Sequence, residues 1–171
     1  MIIMGLDPGS RLTGYGVIDS QKSHQRYIAS GTIRLGLGEV SERLSILYEA
    51  LQTLVARYQP DNAAIEQVFL RNNPAVAIKL GQARGSAITA LAVHQIPVAE
   101  YSPRQIKQAV VGYGNSTKEQ VQHMIVRLLQ LPNVPAVDAA DALAVALCHH
   151  FTNTGLQGLQ GVKRISRGRL Q

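Results

Sequence analysis

Ile2-Ile3-Met4-Gly5-Leu6-Asp7-Pro8-Gly9-Ser10 opens the chain with an apolar run that stops at an acid and a turn signal. A short apolar run bounded in this way reads as a buried strand. Residues 15–19 and 27–34 have strand character as well, and the polar stretch 20–24 between them is turn-prone, so the first three segments predict an antiparallel meander. Over residues 40–58, Leu44, Leu47, Leu51, Leu54 and Val55 recur at helical spacing, and Pro60 stands just beyond as a stop. Residues 62–68 then return to strand character. A strand reached through a crossover helix is expected to lie parallel to an earlier one. The pattern is that of an α/β fold.

Downstream, Asn73-Pro74 places a proline at the start of a long Ala-rich helix expected to reach about residue 95. Ala77, Gly81 and Gly85 at four-residue spacing leave it a flat face, suited equally to its own sheet or to a second subunit. Residues 97–100 form a short strand, and Ser102-Pro103 caps and starts a further helix. After a loop at 112–116, residues 117–131 are amphipathic through Val121, Met124, Ile125 and Leu128. Pro132 and Pro135 precede a last helix from about Asp138 to about Phe151. The remainder, rich in Gly, Gln and Arg, reads as a frayed tail. The expected organisation is therefore one domain over 1–151 and a basic flexible tail over 152–171, with no internal repeat.

At 171 residues and 46% hydrophobic content, the chain can bury the core of one domain. Cys148 is alone and cannot form an internal disulfide, and no charged-then-apolar leader opens the sequence, so the cytoplasm is the expected compartment. Lys79, Gln82 and Arg84 interrupt the most apolar stretch, residues 75–93, which argues against a membrane span. The formal charge of +6 suits a polyanionic partner. Four of the 17 Lys and Arg residues, Lys163, Arg164, Arg167 and Arg169, lie in the last nine positions, leaving 13 in the body against 11 acids. If some of those acids bind metal, the surface facing a polyanion is more positive than this count.

Four acids stand out. Asp7 ends the first strand, although an Asp before Pro-Gly also serves simply to make a turn. Glu66 follows Ala63, Ala64 and Ile65 in a buried strand, where a carboxylate needs a partner or a metal. If the two strands are parallel, both acids lie at the carboxyl ends of neighbours, where open α/β sheets bind ligands. Asp138 and Asp141 share one face of the last helix, one turn apart. They could equally cap its N-terminus. The small residues Ala139, Ala140 and Ala142 would let the helix approach the sheet closely enough for these short side chains to join the other two. Four converging carboxylates repel one another, and an all-oxygen set favours Mg²⁺ or Mn²⁺ over zinc. His149 and His150 point apart on a helix and read as packed or surface groups, and no G-x-S-x-G occurs. Asp7-Pro8-Gly9 with Thr13-Gly14 also resembles the first phosphate loop of actin-like ATPases and sugar kinases. Their two-lobed clefts need far more chain.

Gly5-Leu6-Asp7-Pro8-Gly9-Ser10 with Thr13-Gly14-Tyr15-Gly16 resembles the opening of RuvC-type Holliday-junction resolvases. In the same order follow Ile65-Glu66-Gln67-Val68-Phe69, Lys79-Leu80-Gly81-Gln82-Ala83-Arg84-Gly85, Gln105-Ile106-Lys107-Gln108, Lys118 with Gln120-Val121, and Asp138-Ala139-Ala140-Asp141-Ala142-Leu143-Ala144. The resemblance covers nearly everything before the tail. It implies a ribonuclease H-like fold with a mixed five-stranded sheet flanked by helices, a homodimer, four-way junction DNA as substrate and a branch-migration motor complex as partner. It further implies that Asp7, Glu66, Asp138 and Asp141 are catalytic metal ligands. Paired symmetric nicks leaving 5′ phosphates would serve recombination and repair, with two Mg²⁺ ions, replaceable by Mn²⁺, about 4 Å apart at each site. Phe69 matches an aromatic expected to stack on a base at the junction centre, though it could equally be a core residue. Lys107 and Lys118 match basic positions that resemble phosphate or transition-state contacts. The chain departs at Val76, where relatives often carry a polar or basic residue. The rival readings are a nuclease of the same fold acting on structured RNA and a non-catalytic DNA-binding module.

Overall fold

A computed structural model describes residues 1–21, 24–68 and 74–160, with the side chains of 156–160 excepted. Its elements are β1 (Ile2–Asp7), β2 (Leu12–Ser20), β3 (Gln25–Arg34), α1 (Val40–Tyr58), β4 (Asn62–Glu66), α2 (Pro74–Ala92), β5 (Val98–Tyr101), α3 (Pro103–Val111), α4 (Lys118–Leu129) and α5 (Val137–Gln160). The strands form one mixed sheet in the order β3-β2-β1-β4-β5. The meander β1-β2-β3 is antiparallel, and β4 lies parallel to β1 and to β5.

Alternation along the strands sorts the core into two layers. Met4, Leu6, Val17 and Ile65 point to one side, where α1 buries Leu47, Leu51 and Val55 and α2 buries Ala83, Ala87, Ala90 and Leu91. Ile3, Ile18 and Ala64 point to the other, under α5 with α3 and α4 outside it. The four-residue spacing of Leu47, Leu51 and Val55 explains the first layer, since one face of α1 is apolar and Gln59 closes it in the left-handed conformation at φ 46°. Ser102 and Thr117 cap α3 and α4, each in a reciprocal capping box with a Gln three residues on.

α5 differs from both because it is buried on every side from Ala142 to His150. A helix apolar all round belongs in the middle of a layer. It also runs beyond the expected end near Phe151, reaching Gln160. The Thr152 and Thr154 hydroxyls donate to the carbonyls of Cys148 and His150, at 2.8 and 2.9 Å, and so turn polar side chains back onto the helix. The expected tail is corrected accordingly over 152–160, while residues 161–171 lie outside the described residues.

The flat face of α2 is settled too. A Cβ added at Gly81 or Gly85 would meet nothing within 4 Å, so this face is not packed on its own sheet. Ile78 beside it is 63% exposed.

Candidate active site at the carboxyl edge of the sheet

The parallel pairing of Leu6 with Ile65 puts Asp7 and Glu66 at the ends of adjacent strands. Leu6 and Ile65 both face the α1–α2 layer, so by alternation the next residue on each strand faces α5. The two acids therefore share an edge and a side. α5 supplies Asp138 and Asp141 from its first turn and a half. What lets it come so near is glycine. A Cβ at Gly14 would overlap the carbonyl oxygen of Asp138, and one at Gly5 would overlap the Ala142 carbonyl and stand 2.6 Å from the Ala146 nitrogen. The helix thus rests on bare strand backbone. Those glycines were visible in the sequence, but their meaning depended on knowing which helix covers β1 and β2.

Electrostatics show the acids acting on one another. Burial, then the charges of Asp141 and Asp138, push the Asp7 carboxyl up to about 6, and Lys118 opposes them. Burial, then Asp7 and Asp141, push Glu66 up to about 7, with Lys118 and Lys107 opposing. The hydrogen bond to Asp141 and that residue's charge hold the Lys118 ammonium above its ordinary value, with further help from Asp7 and Glu66. Its Nζ donates to Asp141 Oδ2 at 3.1 Å. The four acids and two lysines read from the sequence are therefore brought within mutual reach. Phe69 lies outside the described residues.

Among the described residues no three His, Cys, Asp or Glu side chains form a ready-made metal cage. The physical reason at Asp141 is plain: its carboxylate is engaged by Lys118. Burial, and then the neighbouring carboxylate charges, make Asp7 and Glu66 resist ionisation, a condition that a divalent cation relieves. The donors are all oxygen and suit a hard cation. By this test the residues fit a divalent metal once Asp141 turns from the lysine.

The histidines belong elsewhere. His150 Nδ1 lies 2.6 Å from Ser20 Oγ, and His149 Nδ1 lies 2.9 Å from the Tyr101 hydroxyl. Burial lowers both pKa values, in keeping with packed, neutral rings.

Comparisons agree with this geometry. The family model described as "Crossover junction endodeoxyribonuclease RuvC" matches residues 3–149. Proteins of that name from Pseudoalteromonas atlantica and from Shewanella sp. (strain W3-18-1) are 54% and 55% identical to this chain. The first match covers 99% of both chains, the second 94% of this chain and 92% of the relative. A solved structure of Thermus thermophilus RuvC in complex with Holliday junction substrate superposes with a TM-score of 0.86 at 30% identity. It covers 91% of this chain and 96% of that one. The yeast mitochondrial Holliday junction resolvase Ydc2 shares the fold, with a TM-score of 0.70 at 13% identity over 91% of this chain and 80% of its own.

Proposed function

The chain belongs to the RuvC family of crossover junction endodeoxyribonucleases, and from that premise we propose that Asp7, Glu66, Asp138 and Asp141 hold divalent metal against the strand to be cut. The enzyme is an endonuclease that resolves Holliday junctions. The observation carrying the site assignment is the parallel register that sets Asp7 beside Glu66 on the side of the sheet where Asp138 and Asp141 begin α5. Mg²⁺ is the assigned ion, with Mn²⁺ as substitute and two ions per site. When bound, such a metal supplies Lewis acidity at the phosphate and a water nucleophile at neutral pH.

The chain's own residues do the rest. Asp7 and Glu66, fixed at the ends of paired strands, set the position of the site relative to the rigid sheet. Asp138 and Asp141 close it from α5. Lys107 and Lys118 bring positive charge to its rim, where they offset the charge of the phosphate oxygens. Lys118 must leave Asp141 to do so, and the arriving phosphate offers it a new partner. Cleavage of the P–O3′ bond leaves a 5′ phosphate and a 3′ hydroxyl.

A four-way junction has approximate two-fold symmetry, so two symmetric nicks call for a two-fold dimer. The open face of α2, with Gly81 and Gly85 bare and Ile78 exposed, supports a second copy packing there. Phe69 is assigned to stacking on a base at the junction centre, and a branch-migration motor to delivery of the substrate. The place of action is the cytoplasm. Among the described residues no helix is long and apolar enough to cross a membrane.

The test is cleavage of a synthetic four-way junction with Mg²⁺, beside a structured RNA of equal length. Nicking of the junction alone, at symmetric positions and abolished in Asp7→Asn, is expected. Preference for the RNA, or unchanged cutting by Asp7→Asn, overturns the reading.

A further inference from the structure

Across the Asp7–Ser10 turn from the acids, on the α1–α2 side of the sheet, lies a small notch bordered by Ser10, Arg43, Lys79 and Gln82. It encloses only about 10 Å³. That space admits one oxygen-sized group and no nucleotide base or sugar.

Leu35, Val40, Leu44 and Ala83 give it an apolar floor, and its charged groups, Arg43 and Lys79, are both cations. Arg43 Nη1 donates to the Ser10 carbonyl at 2.7 Å, which ties α1 to the turn that follows Asp7. Arg43 Nε is buried with no hydrogen-bond partner among the described residues. A buried donor left unmatched is costly and calls for an acceptor. Neither Arg43 nor Lys79 is in an ion pair with a carboxylate among the described residues, whereas Arg84 is paired with Glu100 at 2.6 Å and Lys118 with Asp141. Lys79 and Gln82 lie on the exposed side of α2, one turn apart, so both can turn toward the same acceptor.

We propose that Arg43 and Lys79, with Gln82 beside them, form a second phosphate-binding point that grips a non-scissile phosphate of the strand being cut. This rests on the junction-cleavage reading above. Ser10 stands three positions after Asp7, a reach of at most about 11 Å. At a rise of 3.4 Å per nucleotide along one strand, the gripped phosphate lies within about three nucleotides of the scissile one. Arg43 binds the turn carrying Asp7 as well as the strand, so the grip also fixes where the strand crosses the acids. Arg43 is in this sense a positioning residue, and Lys79 supplies charge alone. The size of the notch fits a phosphodiester oxygen and not a free nucleotide. Inorganic phosphate shares the same chemistry and is separated by experiment.

The experiment measures junction affinity without cleavage, in Ca²⁺, over a range of salt for the full chain and for Lys79→Gln, Arg43→Gln and the double variant. Each lost phosphate contact should lower the slope of log affinity against log salt by about 0.9. The double variant is expected to lose about one unit and each single variant part of it. Arg43→Gln should also scatter or shift the nick in Mg²⁺, and Lys79→Gln should leave it in place. Among the described residues Lys79 makes no hydrogen bond to the turn, so its result stands even if Arg43→Gln folds poorly. If the unaltered protein binds and cuts the junction while Lys79→Gln keeps its full salt slope, the notch proposal is wrong and the cleavage reading survives. If the unaltered protein ignores the junction, the cleavage reading itself has failed. In a parallel arm, inorganic phosphate is titrated while the melting temperature is followed. Stabilisation at millimolar phosphate that disappears in Arg43→Gln, with junction slopes unchanged, would make the notch a free-ion site and overturn its role in strand binding.

Discussion

Lys118 Nζ and Asp141 Oδ2, 3.1 Å apart, join the first residue of α4 to the first turns of α5. The pair engages one of the four acids with a cation, next to the place where a phosphate must bind. The lysine is 67% exposed, so the pair is screened and contributes little to stability. Its role is therefore chemical. Lys118→Met should slow junction cleavage by roughly 10²-fold, the scale of losing one preorganised charge at a reacting group. Junction affinity in Ca²⁺ should fall only a few-fold. Single-turnover rates beside binding curves check this, and equal losses in both would assign the lysine to binding alone.

The acids themselves make the protein's stability depend on pH and on metal. Burial and repulsion raise Asp7 from 3.8 to about 6 and Glu66 from 4.5 to about 7. Each therefore holds its proton more tightly when folded than when unfolded, so the folded state carries the extra protons between about pH 4 and pH 7. Stability from this source is present below that window and is lost as pH rises through it. In EDTA the melting temperature, taken relative to that of Glu66→Gln, should drop across this range, and Mg²⁺ should restore it at pH 7.5. Glu66→Gln should flatten the drop and raise the metal-free melting temperature at pH 7.5. A pH dependence of the melting temperature in EDTA that is the same in Glu66→Gln as in the unaltered protein would contradict the clustering of these acids.

Gly14 is one of the points, with Gly16, at which α5 lies against β2. A side chain there would occupy the position of the Asp138 carbonyl. Gly14→Ala must lift the helix, at a cost of about 1–3 kcal/mol for overpacking, and carry Asp138 and Asp141 with it. Cleavage should then be lost even at temperatures where circular dichroism shows a folded protein. Gly36, with φ 74° and no atom within 4 Å of an added Cβ, gives a comparison at a distant turn. Gly36→Ala strains only its own backbone and should cut the junction at the normal rate.

Ser20 and His150 tie the end of β2 to α5 by a buried 2.6 Å hydrogen bond. Ser20→Ala leaves a ring nitrogen unmatched and should cost about 1–3 kcal/mol in chemical denaturation. Burial depresses the pKa of His149 and His150 alike, so the unfolded chain binds protons first as pH falls below 6.5, and stability contributed by the neutral rings is lost on acidification. His150→Phe should weaken that acid dependence.

Much of this was legible in the residues. The apolar run before Asp7, the helical repeat of α1 and the return to strand character at Asn62 together gave parallel neighbours β1 and β4, and hence Asp7 beside Glu66. Asp138 and Asp141 were legible as a pair, though spacing alone left capping open. The identity of the family came from motifs in order, not from periodicity. Other features lay beyond reading. That Asp141 is engaged by Lys118, 23 positions away, depends on how α4 meets α5. The grip of Arg43 on Ser10 joins residues 33 positions apart across a turn and a helix. The extension of α5 past Phe151 was hidden because the stretch from residue 152 onward, rich in Gly, Gln and Arg, read as a frayed tail. In the structure the two threonines spend their hydroxyls on the helix's own carbonyls, and Asn153 reaches His149.

The central claim is that four carboxylates drawn from three elements share bound metal. Mn²⁺ binding at pH 7.5, followed by the resonance of the free ion, tests it without reference to cleavage. The unaltered protein should take up Mn²⁺, and Asp7→Asn, Glu66→Gln, Asp138→Asn and Asp141→Asn should each bind it at least tenfold more weakly. If all four variants take up Mn²⁺ as the unaltered protein does, these acids are not the metal site and the account is wrong.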